Sequence, residues 1–425
     1  MTAPTSRVTP PAEPAPLRRW PLIWLAAAVF AASAGYGALM PLLPRWLESL
    51  LPGANATDVA RHVGLLSGAY AAGVLVGAPL WGIVADRVGR GRILKVGLVG
   101  HVASLLLLLT PGLAGLWGIY SMRTAAGFFV AAIVPIVPAL VAAHTPVGQR
   151  ARRFAWLSGM SLVGFLFGPG LITLADLLGQ WAGQASAEPA MPTRLVIVLS
   201  AVLSAITMLG VAATLPVQPP TETATTAAVR MPLRAVSVVP LWWLSAAVMF
   251  VLSGFELGIV LQGQQHADLS PQDIALMFVL CSVVMLLVNG LLFFTSLLDK
   301  IEARVLASAG LLLATAGLAV LGQHRFEPWM YAGIGMTAAG TGLVLPVVAF
   351  LAAGAPRHSL GATMGGVAAA AGLGQTLGSS AGGWLFGALG QQTFNWMIAP
   401  LALTLGLLVA RPGWWSATAG VRETT

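Results

Sequence analysis

The amino-acid sequence predicts an all-α membrane protein with twelve transmembrane helices arranged as two pseudo-symmetric six-helix halves. Composition, span pattern and an internal duplication carry that prediction. Of 425 residues, 57% are hydrophobic and 8% charged, whereas soluble globular domains carry about 25% charged residues. Apolar runs long enough to cross a hydrocarbon core of about 30 Å recur along the whole chain.

Residues 1–19 are rich in proline and arginine without apolar periodicity and read as a disordered cytoplasmic tail. The apolar stretch after Arg19 is too long for a signal-peptide core and lacks a small-residue cleavage site, so it is expected to be the first permanent span. Apolar windows place spans near 20–44, 62–84, 93–111, 116–143, 154–178 and 194–215. A second set follows near 239–262, 271–297, 303–321, 327–353, 361–388 and 393–410. The predicted domains are therefore an N-terminal half (20–215), a cytoplasmic linker (216–238), a C-terminal half (239–410) and a cytoplasmic tail (411–425). The linker is Pro-, Thr- and Ala-rich and carries Arg230 and Arg234, a composition suited to a mobile tether.

With the N-terminus inside, every Lys and Arg except Arg45, Arg61, Arg194, Arg325 and the intramembrane Arg123 falls in a cytoplasmic segment. That asymmetry satisfies the positive-inside rule with both termini cytoplasmic. At the start of span 8, Ser270, Pro271 and Asp273 form an N-cap, a first-turn proline and an acidic first turn. The formal charge of +8 comes from short clusters between apolar runs, which excludes a nucleic-acid-binding domain. The single Cys281 cannot form an intrachain disulfide, and no cysteine framework for a metal exists. No phosphate-cradling glycine loop ending in Lys-Ser or Lys-Thr is present, so nucleotide hydrolysis is not expected, and no other motif points to enzyme activity or a cofactor.

The duplication is read from matched positions. Gly77 and Asp86 recur as Gly290 and Asp299, and Thr124-Ala125-Ala126-Gly127 recurs as Thr337-Ala338-Ala339-Gly340, all at an offset of 213. Gly164 to Pro169 faces Gly374 to Ser379 at an offset of 210, with GxxxG spacing in both. Two related halves in parallel arrangement place a binding site between them at the membrane midplane.

Residues 77–92 read GAPLWGIVADRVGRGR. This closely resembles the hallmark loop between spans 2 and 3 of the major facilitator superfamily. The resemblance implies a conformational latch built from Gly77, Asp86, Arg87, Gly89 and Arg90, with a weaker second copy at Asp299 and Lys300. In it Asp86 would pair with local arginines and face the start of span 11 near Ser359 and Gly361. The bland alternative is that the basic residues only set topology; it leaves Asp86 and the glycine spacing without a role. Span 1 ends Gly35-Tyr36-Gly37-Ala38-Leu39-Met40-Pro41-Leu42-Leu43-Pro44, similar to the span-1 signature of twelve-span drug:proton antiporters, although prolines there also serve simply to end a helix. Arg123 with Gly127 matches the span-4 motif of the same antiporters, which implies that Arg123 tunes a nearby carboxyl for proton transfer; a structural ion pair is the alternative. Gly164, Gly168 and Pro169 resemble the antiporter helix motif of span 5. Ile172 and Thr173 replace its terminal glycines, and Gly378, Gly382 and Gly383 of span 11 supply small residues instead.

Glu256 is the single acidic residue deep in span 7, roughly 24 Å from Pro240 at 1.5 Å per residue. Intramembrane charge is functional by default, so Glu256 is expected to carry protons or bind a cationic substrate, with a solvated place in the outer mouth as the alternative. Span 1 lacks the acid that several proton-coupled exporters carry there. Asp176 reads as interfacial or as a proton-entry group, and His101 as packing or as a relay. Tyr36, Asn289 and Gln375, with Gly127, are candidate cavity residues. The resemblance thus implies a monomeric proton-coupled exporter of a drug-like compound or of a secreted metabolite such as a siderophore, working by alternating access in a bacterial inner membrane. Its partners would be the small-molecule substrate, protons and the lipid bilayer. Uptake of a sugar or organic acid, and a non-transporting scaffold or sensor, are the competing readings.

Overall fold

The computed structural model describes residues 19–110, 115–145, 147–181, 191–215, 239–266, 269, 271–295, 297–323, 327–353 and 360–410. The expectations for the two tails, the linker, Ser270 and Ser359 fall outside these residues.

Inside hydrocarbon every backbone N–H and C=O must be paired within the protein, so spanning segments become helices. The described residues are helices joined by short turns, with no strand among them. The first set comprises α1 (Arg19–Leu39), α2 (Leu43–Leu50), α3 (Ala56–Val88), α4 (Arg90–Leu107), α5 (Gly115–Val130), α6 (Ile133–Ala143), α7 (Val147–Trp181) and α8 (Met191–Thr214). The second comprises α9 (Val239–Gln265), α10 (Pro271–Phe294), the short α11 (Leu297–Lys300), α12 (Ala303–Gln323), α13 (Glu327–Ala353), α14 (Leu360–Leu389) and α15 (Thr393–Ala410). Ten helical segments among the described residues are long and apolar enough to cross a membrane. One of these, Thr363–Ala410, contains both α14 and α15, separated at Gly390 with φ 57°. The helix α4 is not among the ten; Arg90, Arg92 and Lys95 lower the apolarity of its first turns.

Breaks in the helices have local causes. Pro44 has no N–H for the Met40 carbonyl, so Leu43 N–H takes it and one 3-10 turn joins α1 to α2. The prolines of span 1 therefore tighten the helix rather than ending it. Pro135 likewise leaves the Ala131 carbonyl without its usual donor, and the chain turns at 131–132 between α5 and α6. Gly89, at φ 106°, makes the sharp turn between α3 and α4 that a side-chain-bearing residue rarely adopts. At the other end of α3 the Asn55 side chain accepts from Asp58 N–H at 2.8 Å, an N-cap.

The packing repeats. In the first set α1 lies on α7 and α8, α3 on α5, and α4 on α5 and α8; in the second α9 lies on α14 and α15, α10 on α13, and α12 on α13 and α15. Small residues make the matched crossings close. A Cβ on Gly164 would stand 2.4 Å from the Phe30 carbonyl oxygen, and one on Gly378 would stand 2.1 Å from that of Phe250. Helix ends are capped alike: Lys95 Nζ donates to the Ala212 and Leu215 carbonyls at 3.4 Å, and Arg304 donates to the Leu408 carbonyl at 2.7 Å. Each cation satisfies the free carbonyls and the negative pole at the end of the last long helix of its set.

Between the sets, α3 crosses α14 and α7 crosses α10. The α3–α14 crossing is tightest at the end remote from the basic loop. There Thr57 Oγ1 donates to the Gly387 carbonyl at 2.9 Å, and a Cβ on Gly383 would meet the Gly64 Cα at 2.5 Å. One continuous apolar core joins Leu43, Val59, Val63 and Leu66 to Val248, Val251 and Phe255 across the two sets at that end. Toward the basic end, Leu25, Ile93, Leu94, Val137, Leu140 and Val211 form a separate cluster within the first set. The molecule is closed at one end and parted at the other.

Candidate functional site

A cavity of about 470 Å³ lies where the two sets part. Its walls are Val29, Ala32, Ser33 and Tyr36 of α1, Tyr70 and Val74 of α3, Ile133, Val134 and Pro138 of α6, and Leu157, Ser158, Ser161 and Phe165 of α7. The second set contributes Met249, Leu252, Ser253 and Glu256 of α9, Cys281, Ser282 and Met285 of α10, and Gln375 of α14. Ser158 is exposed toward the basic end of α7, and Pro138, beside the Ala139 carbonyl that Arg90 reaches, lines the cavity from α6, so the cavity opens to that side. Glu256 is the single charged residue among these lining residues.

Most hydroxyls in the wall are already engaged. Ser33 and Ser161 bond each other across α1 and α7 at 2.8 Å, and Ser282 donates to the Phe278 carbonyl at 2.8 Å. Ser253 donates to the Met249 carbonyl at 2.8 Å and lies 3.2 Å from the Gln375 carbonyl oxygen. The wall is thus apolar and aromatic with few free donors, suited to an amphiphile. Phe165 meets Phe278 at 5.8 Å between ring centroids, and Tyr36 meets Tyr70 at 5.3 Å.

Arg123 does not line the cavity. It is 2% exposed, and its guanidinium sits 4.7 Å over the ring of Tyr70, which separates it from the cavity. The electron-rich ring face stabilises the buried cation. Its Nε and one terminal nitrogen are buried without a hydrogen-bond partner among the described residues, and no described carboxylate forms an ion pair with it. His101, also buried, bonds the Ala126 carbonyl through Nδ1 at 3.3 Å on the same side of α5 and interacts electrostatically with Arg123.

The other sequence-predicted residues divide by place. Tyr36 and Gln375 line the cavity, whereas Asn289 donates to the Met285 carbonyl of its own helix at 2.8 Å and Gly127 packs against the Tyr70 backbone. Gly77 packs on Phe128, while its counterpart Gly290 meets only the Phe294 ring, at 4.0 Å. Asp86 pairs with Arg90 at 3.2 Å, and Arg90 also reaches the Ala139 carbonyl at 3.5 Å, tying the turn to the end of α6. Arg87 is exposed in the last turn of α3, and Lys300 is exposed at the end of α11. The side chain of Asp299 and the surroundings of Gly361 lie outside what is described. Gly168 closes on Gly37, Gly382 on Gly254 and Gly383 on Gly64, with Pro169 inside α7. Asp176 is half-buried near the end of α7 remote from the basic loop, within reach of the Arg45 charge. Tyr70, Phe165 and the serines were not singled out from sequence. Tyrosine scarcity was an available signal, since two of only four tyrosines line the cavity.

Fold and cavity together define a helical membrane protein whose two sets of helices repeat one packing pattern around a shared cavity. The sequence model of the Major Facilitator Superfamily matches residues 25–321 and 264–414, and the chain belongs to that family. It is 32% identical over 152 residues to the class B tetracycline resistance protein of Escherichia coli, covering 36% of this chain and 35% of that one. It is 35% identical over 177 residues to the class D tetracycline resistance protein of Salmonella ordonez, covering 42% and 40%. To the quinolone resistance protein NorA of Staphylococcus aureus it is 29% identical over 154 residues, covering 34% and 35%. The matches thus span only about a third to two fifths of these relatives. Among solved structures, the D-xylose-proton symporter superposes with a TM-score of 0.73 at 17% identity, covering 95% of this chain and 99% of that one. The human organic anion transporter MFSD10 superposes with a TM-score of 0.68 at 18% identity, covering 94% and 100%. At these identities the likeness establishes the shared fold.

Proposed function

We propose that the protein is a proton-coupled secondary transporter that exports a small amphiphilic organic molecule from the bacterial cytoplasm by alternating access. The observation that carries this reading is Glu256, a lone charge in the wall of an otherwise apolar and aromatic cavity. A carboxyl so placed gives protons and a cationic or polar substrate group one shared site, and competition for that site couples their movements. The likeness to drug-resistance proteins supports an organic substrate and the outward direction.

Counting α4 and dividing α14 from α15 gives twelve crossings, with halves at 20–215 and 239–410 joined by a cytoplasmic linker at 216–238 and flanked by tails at 1–19 and 411–425. Placing the Arg87–Lys95 end and both termini in the cytoplasm of an inner-membrane monomer follows the positive-inside rule. The cavity is then inward-open, the state that loads an exporter. In this state Asp86 and Arg90 form a local pair, and closure of the inner end would bring that turn against the start of α14. Arg123 acts from behind Tyr70 as the fixed positive charge of the first half.

Direction is tested with tetracycline and ethidium as probes in cells lacking their own exporters. Export predicts probe accumulation in everted vesicles energised by a proton gradient and depletion from intact cells. Accumulation in intact cells, with none in everted vesicles, would establish uptake instead.

A further inference from the structure

Two opposite charges, Glu256 in the second half and Arg123 in the first, flank the cavity without meeting. Tyr36 stands between them. Its side chain lines the same cavity as Glu256 and Gln375. Its ring packs on Tyr70 at 5.3 Å, and Tyr70 in turn carries the Arg123 guanidinium on its face at 4.7 Å. The helix bearing Tyr36 is held firmly, because α1 packs along α7 with a Cβ on Gly168 only 2.5 Å from Gly37. The phenol is thus fixed in the first half yet shares the cavity with the second.

Few other groups compete for this position. The other titratable side chains in the cavity wall with Glu256 are Tyr36 of α1, Tyr70 of α3 and Cys281 of α10. The sequences of α14 and α15 contain no charged residue, and α13 contains none beyond Glu327 at its start. From the first half, Tyr70 of α3 packs on the Tyr36 ring, and Arg123 of α5 lies over the Tyr70 ring.

We infer that Tyr36 is a positioning residue for energy coupling, linking Glu256 and Gln375 on one half to the Tyr70–Arg123 pair on the other. The inference rests on the proton-coupled reading of Glu256. When Glu256 is ionised, the phenol O–H donates to its carboxylate; when Glu256 holds a proton, or a cation occupies the site, the O–H turns to the Gln375 amide oxygen. No covalent bond changes, and the only proton exchanged with solvent is that of Glu256. The ring of Tyr36 follows its hydroxyl, which alters its packing on Tyr70 and hence the cover over Arg123. The proton occupancy of one half is thereby transmitted to the other at the cavity wall. Tyr70 acts through its ring alone, so its own hydroxyl is dispensable.

The test is a pH titration of the Glu256 carboxyl by infrared difference spectroscopy on the full-length protein in lipid, with the band assigned by its loss in Glu256→Gln. It needs no transported substrate. Tyr36→Phe is expected to move the midpoint by about one pH unit or more, a tenfold change in proton affinity. Tyr70→Phe leaves the midpoint in place, and Tyr70→Leu shifts it. In the Tyr36→Phe background, which keeps the ring packing and removes only the hydroxyl, Tyr70→Leu has no further effect, as expected if Tyr70 acts on the midpoint through that hydroxyl. An unchanged midpoint in Tyr36→Phe, or additive shifts in the double variant, overturns the inference while leaving proton binding by Glu256 intact. If no band titrates in the unmodified protein, the proton-coupled reading fails first and the inference falls with it.

Discussion

The two halves share their helix packing and differ in their charges. Gly164 and Gly168 close α7 onto α1 as Gly374 and Gly378 close α14 onto α9, and Lys95 and Arg304 cap the last long helix of each set. At the position matching Arg123, 213 residues on, stands Met336; the second half carries Glu256 on its first long helix, and α1 has no acid within its span. Backbone contacts have therefore been retained where shape decides, while the opposite charges have been divided between the halves, Glu256 in the cavity wall and Arg123 behind Tyr70. A device that links two halves needs such asymmetry, since identical charges facing each other would only repel.

The largest expected contrast is at Arg123 and Met336. Arg123→Leu removes a buried cation whose placement costs at least ~2.5 to 3.5 kcal/mol on insertion scales. It is expected to abolish proton-coupled transport while keeping or raising thermal stability; Met336→Leu should leave both near wild type. Transport assays with melting curves on the two variants check this, and full activity in Arg123→Leu would reduce the residue to packing.

Matched glycines give the next contrast. Gly77→Leu forces a side chain into the Phe128 backbone and should cost about 1–3 kcal/mol. Gly290→Leu meets only the Phe294 ring, 4.0 Å from its Cβ, and should stay within about 0.5 kcal/mol. Similar melting-temperature losses in both would mean that the two positions pack alike. A smaller effect is expected at the basic loop. The Asp86–Arg90 pair is exposed, with 60% of the Asp86 side chain accessible, so Asp86→Asn should change stability by no more than about 1 kcal/mol. Its expected signature is conformational: in a Ser158→Cys reporter at the cavity mouth, thiol labelling should rise because closure of the inner end is weakened. Unchanged labelling would argue that the loop only sets topology.

Much of this architecture was legible in the sequence because the membrane leaves the backbone little choice. The span windows fall on the observed helices to within a few residues, except where helices such as α3 and α7 extend past the apolar stretch with polar end turns that hydropathy discounts. The start of α10 at Pro271 was readable from its first-turn proline and Asp273. Side-chain direction was not readable. Asn289 and Gln375 look alike as polar residues in apolar spans, yet Gln375 faces the cavity and Asn289 bonds its own helix. Tyr70 was hidden because an isolated tyrosine in an apolar span gives no periodic signal, and its importance arises only from Arg123 on another helix. Pro41 and Pro44 allowed span 1 to end there, whereas the chain continues through a 3-10 turn into α2, and span 4, read as one window over 116–143, turns at 131–132.

The most direct test of the account is substrate-driven proton release. Purified protein in weakly buffered detergent solution at neutral pH is mixed with a transported amphiphile identified in the vesicle assay, and the proton yield is recorded with a pH-sensitive dye. The account predicts release from the unmodified protein and none from Glu256→Gln, with substrate binding still detectable by tryptophan fluorescence in both. Equal release from the two proteins would contradict it.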